Sequence, residues 1–560
     1  MPTLNTSCQQ ALRNVNSFGE ASLNSNVDLR EIPTPVRGER PTEYANRVGE
    51  WYVEHRSDAH RKEHGLYLTP IAVADYMGSD LCGKRKKLRL LDPAAGAGIL
   101  ICAAVEGMDS CTQRLEEVHV VAYEIDQQLA AVLEVVLTNL AAWCEKAHSF
   151  KLRTTIYPED FVLKHSRTLD ASETLFSESS SEQLFDLIVS NPPYFKLPKS
   201  DPRSIAAASV VHGQPNIYAL FMAVSAAMLR PHGNMVFIVP RSFASGPYFC
   251  KFRSVFFKMI KPVHVHVFIS RRATFSRDRV LQENIILFGS RDEQWHAVDG
   301  SQWLKITSSN GSGDLAEAEH HLVPLSNSLR LDSSQKVLRL PLNTDDDAVL
   351  DVIDSWAYTL ASFGLNISTG PVVPFRANEF IDNKGNVARG HVPLLWMNHV
   401  KALEVRWPLN QHKREFIRSA SSDSILVENK NYVLLRRFSA KEEARRLIAA
   451  PYLSCHYRTQ KVGFENHLNY IHRSGGELSQ DEAWGLAVLY SSAQLNSYFR
   501  IVNGNTQVSA TEIRALPLPS METIKAIGRA VRALPDPLAE VDAITSTFIP
   551  SFRSARTLRG

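Results

Sequence analysis

Residues 185–195 read Phe-Asp-Leu-Ile-Val-Ser-Asn-Pro-Pro-Tyr-Phe, an apolar run that ends in Asn191-Pro192-Pro193-Tyr194. Leu187, Ile188 and Val189 suit a central parallel strand, and the two prolines end its ladder because neither can donate a backbone N–H. The chain stops there, at the carboxyl edge of a sheet, where ligands of open α/β sheets bind. A proline-stiffened loop can point the Asn191 amide oxygen and the Pro192 carbonyl the same way, so that two acceptors face one NH2 group. Holding both hydrogens of an exocyclic amine returns its lone pair from the base ring to nitrogen, ready to attack an electrophilic methyl. Tyr194 offers a flat face on which the base can stack.

Other residues must deliver that methyl. Leu88 to Leu91 form a short apolar strand that opens into Asp92-Pro93-Ala94-Ala95-Gly96-Ala97-Gly98, followed by a helical run from Ile99 to Val105. Small residues at 94–98 let the backbone pass close to a ligand, although neither G-x-G-x-x-G spacing nor the Lys-Ser/Thr of a P-loop is present. A second strand, Val118 to Tyr123, ends in Glu124, a carboxylate placed to accept the two ribose hydroxyls of an adenosine. Tyr157-Pro158-Glu159-Asp160-Phe161 follows a third strand; Asp160 could bond an adenine amine and Phe161 cover its ring.

In this order the motifs resemble the S-adenosylmethionine-dependent N6-adenine DNA methyltransferases of the gamma arrangement, the TaqI-like enzymes of type II restriction-modification systems. The resemblance covers about residues 60 to 290 and implies S-adenosyl-L-methionine as cofactor. Gly65-Leu66-Tyr67-Leu68-Thr69-Pro70 looks like motif X, which places Thr69 and Pro70 over the methionine end. Asp92, Ala94, Gly96 and Gly98 match motif I, with Pro93-Ala94 where the family usually has an aromatic residue after the acid. Glu124 matches motif II, Asp160 with Phe161 motif III, and Asn191, Pro192 and Tyr194 motif IV. Residues 273–280, Ala-Thr-Phe-Ser-Arg-Asp-Arg-Val, precede an apolar strand at Ile285 to Phe288 and look like motif VIII. There the family sets a second aromatic against a flipped base, a role carried to Phe275, with Phe268 as second choice.

The expected fold is α/β: a Rossmann-like methyltransferase sheet plus a carboxyl-terminal mixed α/β target-recognition domain. The sequence divides into an amino-terminal arm (1–45), the catalytic domain (46–290), a connector (291–345), the recognition domain (346–520) and a helical extension (521–560). The connector is read from the Ser, Asn, Gly and Asp collected at Thr307 to Asp314. Patterning returns with helical spacing at Val349 to Leu360 and a strand-like Ile425 to Leu435; between them Ile367 to Arg376 is a loop rich in turn formers beside a basic residue.

Charge changes along the chain. Residues 401–560 hold 22 Lys and Arg against 15 Asp and Glu, whereas the whole chain holds 62 against 59. The basic part interleaves cations with rings and amides, as in Arg436-Arg437-Phe438, Lys461 and Asn469-Tyr470, a mixture suited to phosphate anchoring and base-edge readout. Arg436, Arg437 and Lys461 are expected at phosphates. Residues 501–519 resemble the segment that ends recognition domains in restriction-modification proteins; Asn505 and Gln507 sit on an exposed turn before a helix that Ser509 can cap and Glu512 can close.

Seven cysteines are scattered without C-x-x-C spacing, which fits a reducing cytoplasm and neither a disulfide framework nor a zinc site. None follows a proline, which disfavours C5-cytosine methylation. No uninterrupted apolar stretch of membrane-span length is read, and no signal-peptide core. The expectation is therefore a cytoplasmic, monomeric, site-specific adenine methyltransferase acting on double-stranded DNA, without metal, whose cognate endonuclease is a separate protein. N4-cytosine is the alternative base, because the same amine geometry serves both; methylation of rRNA or of a protein glutamine is a further alternative, disfavoured by motif X and the basic carboxyl-terminal part.

Overall fold

The computed structural model describes residues 28–549 other than 80, 82–84, 109–114, 148–149, 172–183, 270–282, 296–301, 332, 334, 383–389, 410–413, 440–442, 444 and 504–506. The chain divides into two units, Met1–Leu342 and Asn343–Gly560.

The first unit opens with helices α1 (Pro41–Glu54), α2 (Asp58–His64) and α3 (Ile71–Ser79). Strands and helices then alternate: β1 (Lys87–Asp92), α4 (Ile99–Gly107), β2 (Glu117–Tyr123), α5 (Gln127–Ala147) and β3 (Lys151–Tyr157). The short α6 (Phe161–His165) precedes β4 (Phe185–Ser190), and α7 (Ile217–Met228) precedes β5 (Leu229–Pro240). Then come α8 (Cys250–Met259), β6 (Ile260–Phe268), β7 (Asn284–Arg291), β8 (Trp303–Ser309) and β9 (Glu319–Pro324). The nine strands make one sheet in the order β3-β2-β1-β4-β5-β7-β6-β8-β9. β1 to β5 are parallel, and β7 lies antiparallel between β5 and β6.

Successive residues of a strand face opposite sides of a sheet, and the interior divides accordingly. Leu91, Ile188 and Phe237 pack with Tyr218 of α7 and Phe256 of α8, while Leu90, Leu187 and Val236 pack with Val48 of α1, Ile101 of α4 and Leu133 of α5. All six residues of β4 are buried, as a strand covered on both faces requires. From β1 the order runs outward through β2 and β3, and the chain then returns to set β4 on the other side of β1. The carboxyl ends of β1 and β4 thus flank a switch in strand order, the place where such sheets leave a crevice. Among the described residues one helix, spanning Gln127–Lys146, is long and apolar enough to cross a membrane by length and composition; Val132, Leu133, Val136 and Leu140 on it belong to the core of this unit.

Two sequence boundaries move. The connector at 291–345 contributes two strands to the sheet: β8 pairs with β6 and with β9. Its polar run hid a strand because Thr307 and Ser309 are buried by bonding the histidines of β6, with Thr307 Oγ1 2.9 Å from His266 Nδ1 and Ser309 Oγ 3.0 Å from His266 Nε2. The amino-terminal arm is likewise partly core, since α1 starts at Pro41 and Tyr44 and Ala45 are buried.

In the second unit α9 (Thr344–Asp354) precedes β10 (Leu365–Thr369), β11 (Ile381–Asp382), β12 (His391–Leu395), β13 (Val400–Lys401), β14 (Glu404–Val405) and β15 (Phe416–Arg418). Then follow β16 (Val427–Glu428), β17 (Tyr432–Arg436), β18 (Ala449–Tyr452), β19 (Lys461–Phe464) and β20 (Leu468–Arg473). Helices α10 (Gln480–Ser491), α11 (Ala493–Val502), α12 (Ala510–Ala515), α13 (Met521–Arg532) and α14 (Val541–Phe548) close the unit. Its sheets run β10-β20-β17-β18 and β11-β15-β12-β19-β16, with β13-β14 a separate pair. The expected helix at 349–360 stops at Asp354, and the expected strand at 425–435 is broken between β16 and β17, where the Asn431 amide turns to the Leu478 carbonyl at 2.9 Å. The helical extension is part of this core: Ile524, Ile527 and Val531 of α13 pack with Leu486 and Leu489 of α10.

Candidate active site

A cleft of about 570 Å³ opens at the switch point, lined by Ala94 to Ala97 after β1, Asn191 after β4, Leu66 to Thr69 before α3, and Asn46, Gly49 and Tyr52 of α1. The turn after β1 depends on left-handed backbone, with φ of 54° at Gly96 and 87° at Gly98, which glycine adopts without a Cβ penalty. A Cβ at Gly96 would project into open space, whereas one at Gly98 would meet Leu133 Cδ1 at 2.7 Å. Gly98 therefore serves helix packing and the start of α4, while Gly96 leaves room in the cleft.

Two acids frame this turn. Asp92 Oδ1 accepts the Ala94 N–H at 3.0 Å; Oδ2 is buried without an aligned partner among the described residues, and Ser190 is the polar group beside it. Burial pushes the Asp92 carboxyl up to about 7, against the pull of the Ala94 N–H. Glu124 Oε2 accepts from Gly96 N and Oε1 from Asp126 N, both at 2.9 Å, which leaves each oxygen a further lone pair. Burial also pushes Glu124 up to about 7, opposed by those same N–H groups. The pair suits a ligand that brings a cation to Asp92 and a diol to Glu124.

Asn191 sits at the other wall. Its Nδ2 donates to Thr69 Oγ1 at 3.0 Å, which orients the amide and leaves Oδ1 as acceptor. The Tyr194 hydroxyl reaches both that oxygen and the Ile238 carbonyl at 2.9 Å; its single proton serves one at a time. Burial pushes the Tyr194 hydroxyl well above its usual range. Among the described residues no backbone N–H donates to the Pro192 carbonyl. The motif X loop is pressed onto this group: a Cβ at Gly65, whose φ is 63°, would meet Pro193 Cβ at 2.7 Å.

Sequence reasoning missed the contribution of α1 and the ring of Tyr67. Tyr67 and Tyr194 are 13° from parallel with centroids 6.5 Å apart. Tyr52 Oη donates to Asp126 Oδ2 at 2.6 Å, and His60 Nε2 lies 2.8 Å from the same oxygen, tying α1 and α2 to the loop that carries Glu124. The available signal was the spacing of Tyr44, Val48 and Tyr52, one helical face of buried residues.

The remaining site residues are placed as follows. Pro70 starts α3, its carbonyl accepting from Val73 and Ala74 N–H at 3.0 Å. Asp160 caps α6 by accepting the Leu163 N–H at 2.9 Å, and Phe161 is buried, stacked on Phe221 at 5.6 Å. Phe268 is also buried, beside His266, so it presents no free face. Phe275, with the rest of 273–280, lies outside the described residues. In the second unit Arg436 Nε donates to the Val400 carbonyl at 2.6 Å, Arg437 Nη1 to the Asn466 carbonyl at 3.1 Å, and Lys461 pairs with Asp423. Gln507 is exposed and Asn505 lies outside the described residues. Ser509 and Glu512 form the expected capping box. Among the described residues no group of three or more His, Cys, Asp or Glu could hold a metal ion.

Comparison with known proteins gives concordant results. Residues 123–275 match the family described as Eco57I restriction-modification methylase. The chain is 29% identical over 473 residues to the type II methyltransferase M.BsuBI of Bacillus subtilis, covering 84% of this chain and 90% of that relative. It is 28% identical over the same length, with the same coverage, to the type II methyltransferase M.PstI of Providencia stuartii. Among solved structures, the DrdV–DNA complex aligns with a TM-score of 0.50 at 11% identity, over 88% of this chain and 59% of that one, a likeness of fold.

Proposed function

We propose that this chain is a site-specific DNA methyltransferase of a restriction-modification system, acting in the bacterial cytoplasm on N6 of an adenine rotated out of double-stranded DNA. The observation that carries the reading is the convergence on one cleft of the glycine turn after β1 and the Asn191 group after β4. Similarity to type II methyltransferases along most of the chain supports it.

The residues fit S-adenosyl-L-methionine, which supplies an electrophilic methyl when bound. The unpartnered Asp92 Oδ2 suits the amino group of the methionine end, Glu124 the ribose diol, and the space before Gly96 a close approach of the nucleoside. Thr69 and Ala94 line the same cleft. On the substrate side, Asn191 Oδ1 and the Pro192 carbonyl accept the two hydrogens of the amine and turn its lone pair toward the cleft. Rotating a base out of the stack costs a few kcal/mol, recovered by stacking in the pocket. Tyr194 provides one face, and Tyr67, whose ring is 13° from parallel with its centroid 6.5 Å away, is proposed as the other. Phe275 is proposed to close the edge of that slot. The protein works as a monomer, and its endonuclease partner is a separate chain that acts at the same site.

Incubating the purified protein with duplex DNA and a methyl-labelled donor, then digesting the DNA to nucleosides, tests this. N6-methyladenine is the expected product. N4-methylcytosine would overturn the choice of base, and unlabelled DNA would overturn the activity.

A further inference from the structure

The loop from Gly370 to Arg376 carries the most exposed large apolar side chain among the described residues, Phe375 at 78%. Its position follows from sheet register. Thr369 at the end of β10 pairs with Asn469, and Arg436 at the end of β17 pairs with Leu468, so the segments after β10, after β17 and before β20 leave the sheet at the same end. Backbone bonds hold them side by side. Asn466 N donates to Val372 O at 2.9 Å, Arg437 N to His467 O at 2.9 Å, and Val508 N to Arg437 O at 2.8 Å. Asn469, fully buried, clamps this end: Nδ2 donates to the Val508 carbonyl at 2.8 Å and Oδ1 accepts from Thr369 Oγ1 at 3.0 Å. Four adjacent segments at about 4.8 Å spacing are about 14 Å across, comparable with the ~12 Å width of a DNA major groove.

The chemistry of this end is cationic, aromatic and amide. The Arg376 guanidinium lies 5.4 Å from the Phe375 ring and that of Arg437 5.8 Å from the Phe438 ring. Gln507 is exposed, and the Glu465 carboxylate is buried against His467. Glu379 is the exposed acid that follows on the loop. Phe375 belongs to none of the unit's apolar clusters. An exposed ring beside the exposed Arg376 and the half-buried Arg437 complements a polyanion that also offers apolar edges, as a groove does with its thymine methyls.

We infer that this sheet end is a duplex-DNA contact surface in which Arg376 and Arg437 take phosphates and Phe375 touches base edges within the groove. The inference rests on the reading of the chain as a DNA methyltransferase. The two kinds of contact separate by salt, because a phosphate contact contributes about one unit to the slope of log affinity against log salt and an apolar contact contributes none.

The test uses the full chain and a labelled duplex bearing the site that the wild-type protein methylates, with affinity followed across a salt series. Arg376→Ala is expected to weaken binding and flatten the slope by about one unit. Phe375→Ala should weaken cognate binding by about tenfold with the slope unchanged, a typical loss for one base-edge contact, and Phe375→Tyr should restore it. Melting temperature and cofactor affinity should not move, since both side chains project into solvent. A wild-type protein that methylates DNA while both alanine variants bind the duplex with unchanged affinity and slope would overturn the inference and leave the methyltransferase reading standing. A wild-type protein that neither binds nor methylates DNA would overturn that reading, and the inference with it.

Discussion

Asn191 is held by Thr69 on one side and approached by the Tyr194 hydroxyl on the other, and the role proposed for it is to orient an amine rather than to supply affinity. Asn191→Ala should abolish methyl transfer in single-turnover assays while leaving cofactor and DNA binding within about tenfold, the signature of an interaction used in the transition state. Tyr67→Ala removes one face of the proposed base slot; the fluorescence of 2-aminopurine at the target position should differ from that with the wild-type protein, and an identical signal would remove Tyr67 from the slot. The acids give a pH dependence. Asp92 and Glu124 hold protons up to about 7 without ligand, and a cation and a diol both favour the carboxylates, so binding S-adenosylmethionine releases protons. Affinity measured by calorimetry should tighten as pH rises from about 6 to 8 and level off above, since each group ionises near 7; a flat profile would contradict the assignment. Asn191, Asp92 and Glu124 were legible in the sequence because each follows a strand of recognisable pattern. Tyr67 and Tyr52 were not, because their place in the cleft depends on how α1 and the motif X loop dock.

At the scale of elements, the switch between β1 and β4 brings together residues almost a hundred positions apart. The parallel strands were readable from apolar runs closed by Asp92, Glu124 and Asn191. β8 was not, because Thr307 and Ser309 satisfy buried histidines and give the strand a loop-like composition. Gly65 is a tight joint between the loop before α3 and the loop after β4: its left-handed backbone and its distance to Pro193 both exclude a side chain. Gly65→Ala should cost about 1–2 kcal/mol from the backbone alone and also displace the motif X loop, so thermal melting should fall and cofactor affinity weaken together. Asn469 plays the matching part in the second unit. Asn469→Ala leaves the Val508 carbonyl unpaired, which should destabilise by about 1–3 kcal/mol and speed hydrogen exchange at Val508.

At the scale of the whole molecule, the cleft and the basic carboxyl-terminal part lie in separate units. The first, ending at Leu342, contains every residue that lines the cleft; the second contains residues 401–560, where 22 Lys and Arg stand against 15 Asp and Glu. A chain ending at Leu342 should therefore bind S-adenosylmethionine if it folds, yet fail to select a DNA site. The recognised bases were not legible in the sequence, since no fixed code links Arg, Asn or Phe positions to base pairs across loops of free sequence. Single-molecule sequencing of DNA from cells that express this chain alone tests the central claim most directly. The account predicts N6-methyladenine at one short sequence throughout the genome and none with Asn191→Ala; unmodified DNA from cells making folded wild-type protein, or methylation that persists in Asn191→Ala, would contradict it.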